Sequence, residues 1–208
     1  MKKLLICLSL FVLLLTGCTN NMNTPTKKVE EFLGKYQSMD SEVLAQLDEV
    51  ISNDTTMSDE DKKDYRSLME KQYQNLSYKI KDEEIDGDAA TVLVEIEVFD
   101  YATSINKSRK YYDEHPEEFE DDKATVNEDK DDNNNESLLD EAGDIVDDAK
   151  DKVEESSKYI EYKIKQLMNV VDKVKYEITF HLTKVDDEWK VDDISDIDRQ
   201  KIHGLYEE

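Results

Sequence analysis

Tyr176-Glu177-Ile178-Thr179-Phe180-His181-Leu182-Thr183 alternates large apolar residues with polar ones, and beyond Asp186-Asp187 the alternation resumes at Trp189, Val191 and Ile194. A period of two sends every second side chain to the same face, so the stretch reads as a β-hairpin with one buried side. The pattern has a counterpart upstream. Leu76, Tyr78 and Ile80 alternate with Ser77, Lys79 and Lys81, and Asp86-Gly87-Asp88 supplies a turn. A β-branched run from Ala90 to Thr103 follows, with Val92, Val94, Ile96 and Val98 on one face and Glu95 and Glu97 on the other. Two hairpins predict a mainly antiparallel, four-stranded sheet.

Around these hairpins the period becomes helical. Pro25 to Tyr36 carries Val29, Phe32, Leu33 and Tyr36, and Glu42 to Ile51 carries Val43, Leu44, Leu47, Val50 and Ile51. Ser58-Asp59-Glu60-Asp61 is a helix start, with acidic residues where the macrodipole favours them, and that helix is expected to reach about Gln74. The fold class is therefore α+β: N-terminal helices packed on one face of a curved sheet.

The charge is uneven. The 208 residues hold 52 Asp plus Glu against 27 Lys plus Arg, a net charge of −25. Nucleic-acid binding needs a basic footprint that is missing here, and so does electrostatic attachment to anionic lipid. From Asp113 to Ser157 lie 20 acidic residues and four Lys. Between Glu117 and Glu136 the only apolar residues are Phe119, Ala124 and Val126, too few to offset the entropy of ordering. An acidic insert at about 115–156, disordered or helical, is the expectation. Ser137-Leu138-Leu139-Asp140 resembles a capping box, and the apolar steps after it predict a helix over about 137–154 leading into a firmer one over 157–172, ending near Val171.

Met1-Lys2-Lys3 precedes an apolar run from Leu4 to Leu14, interrupted by Cys7 and Ser9. Eleven residues cannot span roughly 30 Å of hydrocarbon, so the run reads as a signal peptide. It ends in Leu15-Thr16-Gly17-Cys18, which looks like a bacterial lipobox, with Cys18 as the thiol that accepts diacylglycerol. The organisation expected is a signal peptide over 1–17, a lipidated tether over 18–26 and one domain over 27–208. Cleavage would leave Cys18 as the mature chain's single, alkylated cysteine, so no disulfide could form. Two acyl chains suffice for stable anchoring. The partner implied is the cell membrane, reached through the lipid on Cys18 from outside the cytoplasm.

The hairpin form Tyr-x-Ile-x-Phe-x-Leu followed by Trp-x-Val, placed after several helices, resembles the nuclear-transport-factor-two-like, cystatin-like domains in small lipoproteins of low-GC Gram-positive bacteria. The likeness rests on Val29 to Tyr36, Ala90 to Tyr101, Lys158 to Met168, Val174 to Val191 and the closing Asp198 to Tyr206, about half the mature chain. The preference for Lys (24) over Arg (three) suits such a genome. The resemblance implies a fold and an anchored, extracytoplasmic location. That fold carries enzymes, binders and scaffolds alike, so function has to come from a site.

Catalytic signatures are sparse. Ser104-Ile105-Asn106-Lys107 has a Ser-x-x-Lys spacing without its companion motifs. Of the three histidines, His115 adjoins Pro116, His203 lies in the C-terminal tail, and His181 sits on a strand opposite the apolar face, where it is the ligand-binding candidate. Soft-metal sites lack free Cys and close His pairs, and no cofactor is expected. For calcium, a frame starting at Asp129 puts Asp131 and Asn133 at ligand positions and Asp140 at the twelfth, but Asn134 stands where the loop needs Gly. Most of the 11 tyrosines fall at core spacings, which disfavours a carbohydrate-stacking surface, and Glu95 and Glu97 read as an exposed sheet face rather than a hydrolytic pair. The leading expectation is a non-enzymatic, lipid-anchored domain binding a partner or small ligand in the sheet's concavity. The rivals are an enzyme using the same pocket and a cation-responsive protein acting through the acidic insert.

Overall fold

The computed structural model describes residues 23–120 and 156–207. The lipobox residues Leu15, Thr16, Gly17 and Cys18, the calcium candidates Asp129, Asp131, Asn133 and Asp140, and the helix expected over 137–154 all lie outside the described residues.

Three helices come first. α1 (Pro25–Gln37) starts on Thr24, whose side chain accepts from the Lys27 N–H, with proline preset for the first turn. α2 (Ser41–Asn53) is capped by Asp40. α3 (Asp59–Asn75) opens with a capping box between Ser58 and Asp61, satisfying two otherwise orphaned donors. Each turns an apolar stripe inward: Val29 and Leu33 from α1, Leu47 and Ile51 from α2, Leu68 and Met69 from α3.

The sheet follows the expected pairing. β1 (Ser77–Asp86), β2 (Ala89–Phe99), β3 (Lys173–Val185) and β4 (Glu188–Val191) form one antiparallel sheet in the order β1-β2-β3-β4. Val92 pairs with Phe180, Val94 with Ile178 and Ile96 with Tyr176, all buried on the helix-facing side. Asp186 and Asp187, with φ of 52° and 64°, make the two-residue turn whose twist suits a hairpin. A register shift between Ile80 and Asp82 marks a bulge in β1. On the opposite, solvent side, Glu95 is gripped by Lys81 at 2.8 Å and Lys175 at 3.1 Å, and these two hydrogen bonds hold its carboxyl down at about 2.

The chain departs from the sequence reading at four places. The β-branched run does not continue to Thr103, because β2 stops at Phe99. Asp100 accepts from the Thr103 N–H at 3.0 Å and starts α4 (Tyr101–Glu114), which buries Tyr101, Ala102, Ile105 and Ser108. α5 (Ser157–Met168) ends four residues short of 172, since Asn169 caps it and Val171, 79 % exposed, has left the stripe. Phe119, counted with the acidic stretch, ends a short 3-10 turn (Pro116–Phe119) and is buried against Tyr112, Tyr159 and Tyr162 at 5.3–5.5 Å between ring centroids. After the final hairpin comes a helix that the sequence reading does not include. Ser195 caps α6 (Asp196–His203), which places Ile202 and Leu205 in the core.

Candidate functional site

α6 returns across the helical layer, and its position depends on Gly204. That residue ends α6 at φ +73°, in the left-handed region that glycine enters without strain. Its carbonyl accepts from the Ala102 N–H at 2.9 Å. Beside it, the fully buried Gln72 accepts from the Phe99 N–H at 3.0 Å and donates to the Ile202 carbonyl at 3.4 Å. α3, β2 and α6 are thereby tied at one point, where the backbone N–H beyond the sheet ladder would otherwise be unpaired.

Between α6 and the first three helices this arrangement leaves a cavity of about 420 Å³. Small-molecule sites commonly enclose roughly 300–1,000 Å³. Its wall is largely apolar or aromatic: Leu47, Tyr65, Met69, Tyr73, Tyr36 and Leu205. Its rim is polar, formed by exposed Gln46, Asn53 and Arg199. No strand residue lines it. The sheet's helix-facing side is filled by its own side chains, and the cavity belongs to the helical layer.

His203 projects from α6 into the aromatic part of the wall. Its Nε2 is 3.2 Å from the Tyr73 hydroxyl, and the rings are 5.7 Å apart. Tyr73 in turn meets Tyr36 edge-on at 5.2 Å. Burial, reinforced by the Arg199 charge, lowers the His203 imidazole from its ordinary 6.5 to about 4. The residue as a whole is half-buried rather than fully enclosed, and solvent screening reduces the effect accordingly. Burial raises both the Tyr73 and the Tyr36 phenol, while Arg199 opposes it in each case. At neutral pH the wall is thus an uncharged imidazole and protonated phenols, which can give or take hydrogen bonds without carrying charge.

Among the described residues, three charged side chains line the space. Asp54 is buried, and its Oδ1 accepts from Thr56 N and Oγ1 at 2.7 and 2.6 Å and from Met57 N at 3.2 Å. Asp196 is 97 % exposed. Arg199 makes one ion pair among the described residues, from Nε to Asp196 at 3.9 Å, beyond hydrogen-bond length.

His181, the histidine singled out from sequence, lies elsewhere. It is exposed on the outer face of β3, opposite Thr91, in an open groove that also includes Asp86, Thr183 and Asp192. His115 stays near the aromatic end of α4, with Nδ1 3.9 Å from Glu117. Among the described residues no cluster of His, Cys, Asp or Glu is arranged to hold a metal ion, and no helix is long and apolar enough to cross a membrane. The structure brings together Tyr73, Arg199 and His203, none of which was marked as a site residue from sequence. One signal was present: Ser195-Asp196-Ile197-Asp198 repeats the Ser-x-x-Asp cap of Ser58 and announces α6.

Comparison of the chain with protein-family models, curated proteins and solved structures finds no match in any of the three.

Proposed function

We propose that this chain is a lipid-anchored lipoprotein facing outside the cytoplasm, and that its domain is a non-enzymatic module taking a small ligand between α6 and α1–α3. The cavity carries the reading: an aromatic wall with neutral hydrogen-bonding groups and a polar rim holds and orients a molecule. The site is therefore placed in the helical layer rather than in the concavity of the sheet. The likeness to cystatin-like lipoprotein domains is part of the same proposal, supported by helices on one face of a four-stranded antiparallel sheet.

Binding is tested with 2-naphthoate and the purified full chain in detergent micelles, by calorimetry against a micelle blank. Saturable binding at one site is expected, and Val50→Trp, at the partly exposed mouth of the cavity, should abolish it without lowering the melting temperature. Binding unchanged in that variant would show that the cavity is not the site. For the anchor, Cys18→Ala should move the protein from the membrane to the soluble fraction and end lipid labelling; continued labelling would refute it.

A further inference from the structure

Resting on the ligand-binding reading above, we infer that the cavity selects monoanionic amphipathic molecules, burying a flat apolar body against its tyrosines and pairing a carboxylate or sulfonate with Arg199.

The argument begins with Arg199 itself. The chain has three arginines, and Arg199 is the one that lines the cavity. Arg66 is saturated, with Nε 2.6 Å from Asp48 and a second bond to Glu70. Arg199 lines the cavity, and among the described residues its guanidinium has one ionic contact, the long one between Nε and the exposed Asp196. A planar fork of N–H donors matches a carboxylate in two parallel hydrogen bonds.

The other charged lining groups do not compete for that role. Asp54 spends its Oδ1 on the turn that follows α2. Asp196 points into solvent. His203 and the phenols of Tyr36 and Tyr73 are neutral at pH 7, so among the described residues Arg199 is the one cation lining the cavity, and the charge of the buried Asp54 carboxylate is offset in part by the three donors on its Oδ1. Leu47, Met69 and Leu205 form an apolar surface suited to a ring or a short hydrocarbon body. An uncharged ligand would leave the guanidinium unused, and a cation would meet its repulsion directly.

One negative charge is favoured over two because of the protein around the site. The net charge of −25 creates a long-range field that disfavours each added anionic charge, while Arg199 compensates locally for one. A polyphosphate or dicarboxylate would pay that repulsion twice for a single salt bridge. The selection is thus for amphipathic monoanions.

Three probes of the same shape separate the possibilities: 2-naphthoate, neutral 2-naphthamide, and the cation 2-naphthylmethylammonium, titrated calorimetrically into the full chain and into Arg199→Gln. Because Arg199 is exposed, the variant should melt with the parent chain. Naphthoate should bind the parent at least tenfold more tightly than naphthamide, and Arg199→Gln should weaken naphthoate about tenfold while leaving naphthamide unchanged. Arg199→Lys should recover part of the loss. Equal binding of naphthoate and naphthamide, tighter binding of the cation, or a naphthoate affinity indifferent to Arg199→Gln would overturn the charge selection while leaving a binding cavity. Failure of all three probes to bind would overturn both.

Discussion

The Tyr73 hydroxyl stands 3.2 Å from Nε2 of His203, a contact between residues 130 positions apart that joins the end of α3 to the end of α6. Their sequence neighbours extend the tie: Gln72 Nε2 donates to the Ile202 carbonyl, and the Gly204 carbonyl accepts from the Ala102 N–H at the start of α4. The closing contacts therefore adjoin the inner wall of the cavity, to which Tyr73 and His203 belong. Disturbing the wall and disturbing the closure are separable only by choosing groups that serve one and not the other.

His203 couples this wall to pH. Its folded pKa of about 4 lies below the ordinary 6.5, so the unfolded chain binds the extra proton first as pH falls. The stability associated with the neutral imidazole is complete above about pH 6.5 and is lost progressively down to about pH 4. The displacement corresponds to at most about 3 kcal/mol, reduced by solvent screening because the residue is only half-buried. Arg199 from its own helix, Tyr36 from α1, Tyr65 and Tyr73 from α3, and the carboxylates of Asp54 and Asp196 are, among the described residues, the other titratable or charged groups around the cavity. Urea unfolding at pH 7.5, 6, 5 and 4.5 should show the parent chain losing stability relative to His203→Gln, which cannot take up this proton. Parallel profiles for the two proteins would rule out the coupling.

Gly204 and Gly34 should respond in opposite directions to alanine. A Cβ on Gly204 would stand 2.1 Å from the Phe99 carbonyl oxygen and 2.6 Å from Gln72 Nε2, at a φ of +73° that alanine resists. The clash is with backbone, so the α6 closure must shift, at a cost of about 3 kcal/mol or more. Gly34 lies inside α1, and a Cβ there meets nothing within 4 Å. Gly34→Ala should stabilise by about 0.5–1 kcal/mol through helix propensity and a less flexible unfolded chain. Chemical denaturation of both variants checks the pair; a benign Gly204→Ala would mean that α6 does not dock as described.

The parts of the fold that were legible in the sequence are those where one local period runs unopposed. Val92, Val94, Ile96 and Val98 alternate without interruption, and Ser58 with Asp61 marks its helix by itself. α4 was obscured because β-branched and aromatic residues continue past Phe99, and strand propensity there gives way to one side chain, the Asp100 cap on Thr103. α6 is eight residues long with little apolar content, so its stripe is faint: Ile202 is buried while Ile197 is 42 % exposed. The cavity had no local signature at all. Tyr36, Tyr73, Arg199 and His203 become neighbours only through the docking of α6, and the low pKa of His203 is a product of that docking. A histidine in a tail and a histidine in a cavity wall look alike in one dimension.

Gln72 should be far more sensitive than an ordinary polar residue on a helix. It is fully buried, and its Oε1 is the partner of the Phe99 N–H. Gln72→Leu keeps the volume but leaves that N–H and the Ile202 carbonyl without this side chain, so a loss of about 2–3 kcal/mol is expected. Gln72→Glu, which retains the acceptor, should hold the Phe99 bond while losing the donor to Ile202. Hydrogen exchange at the Phe99 amide distinguishes the roles: it should accelerate in Gln72→Leu. An amide equally protected in both variants would show that the side chain contributes packing alone.

Residues 121–155 can be replaced with little loss of stability if the domain closes on either side of them. The flanks already meet: Lys158 Nζ donates to the Glu120 carbonyl, Tyr111 stacks on Tyr162 at 5.4 Å, and Phe119 is buried between α4 and α5. Joining 120 to 156 through about six Gly and Ser residues shortens the connection from 35 residues, more than two halvings. Each halving lowers the loop-closure cost by about 0.6 kcal/mol, so the shortened chain should be more stable by about 1–1.5 kcal/mol. Removing the acidic segment also relieves self-repulsion, an additional gain that should shrink in high salt whereas the loop-length gain should not. Urea unfolding of both chains in low and high salt measures the two contributions separately. If the shortened chain unfolded or lost several kcal/mol, residues 121–155 would have to supply contacts to the core, and the acidic segment would be part of the domain rather than an insertion into it.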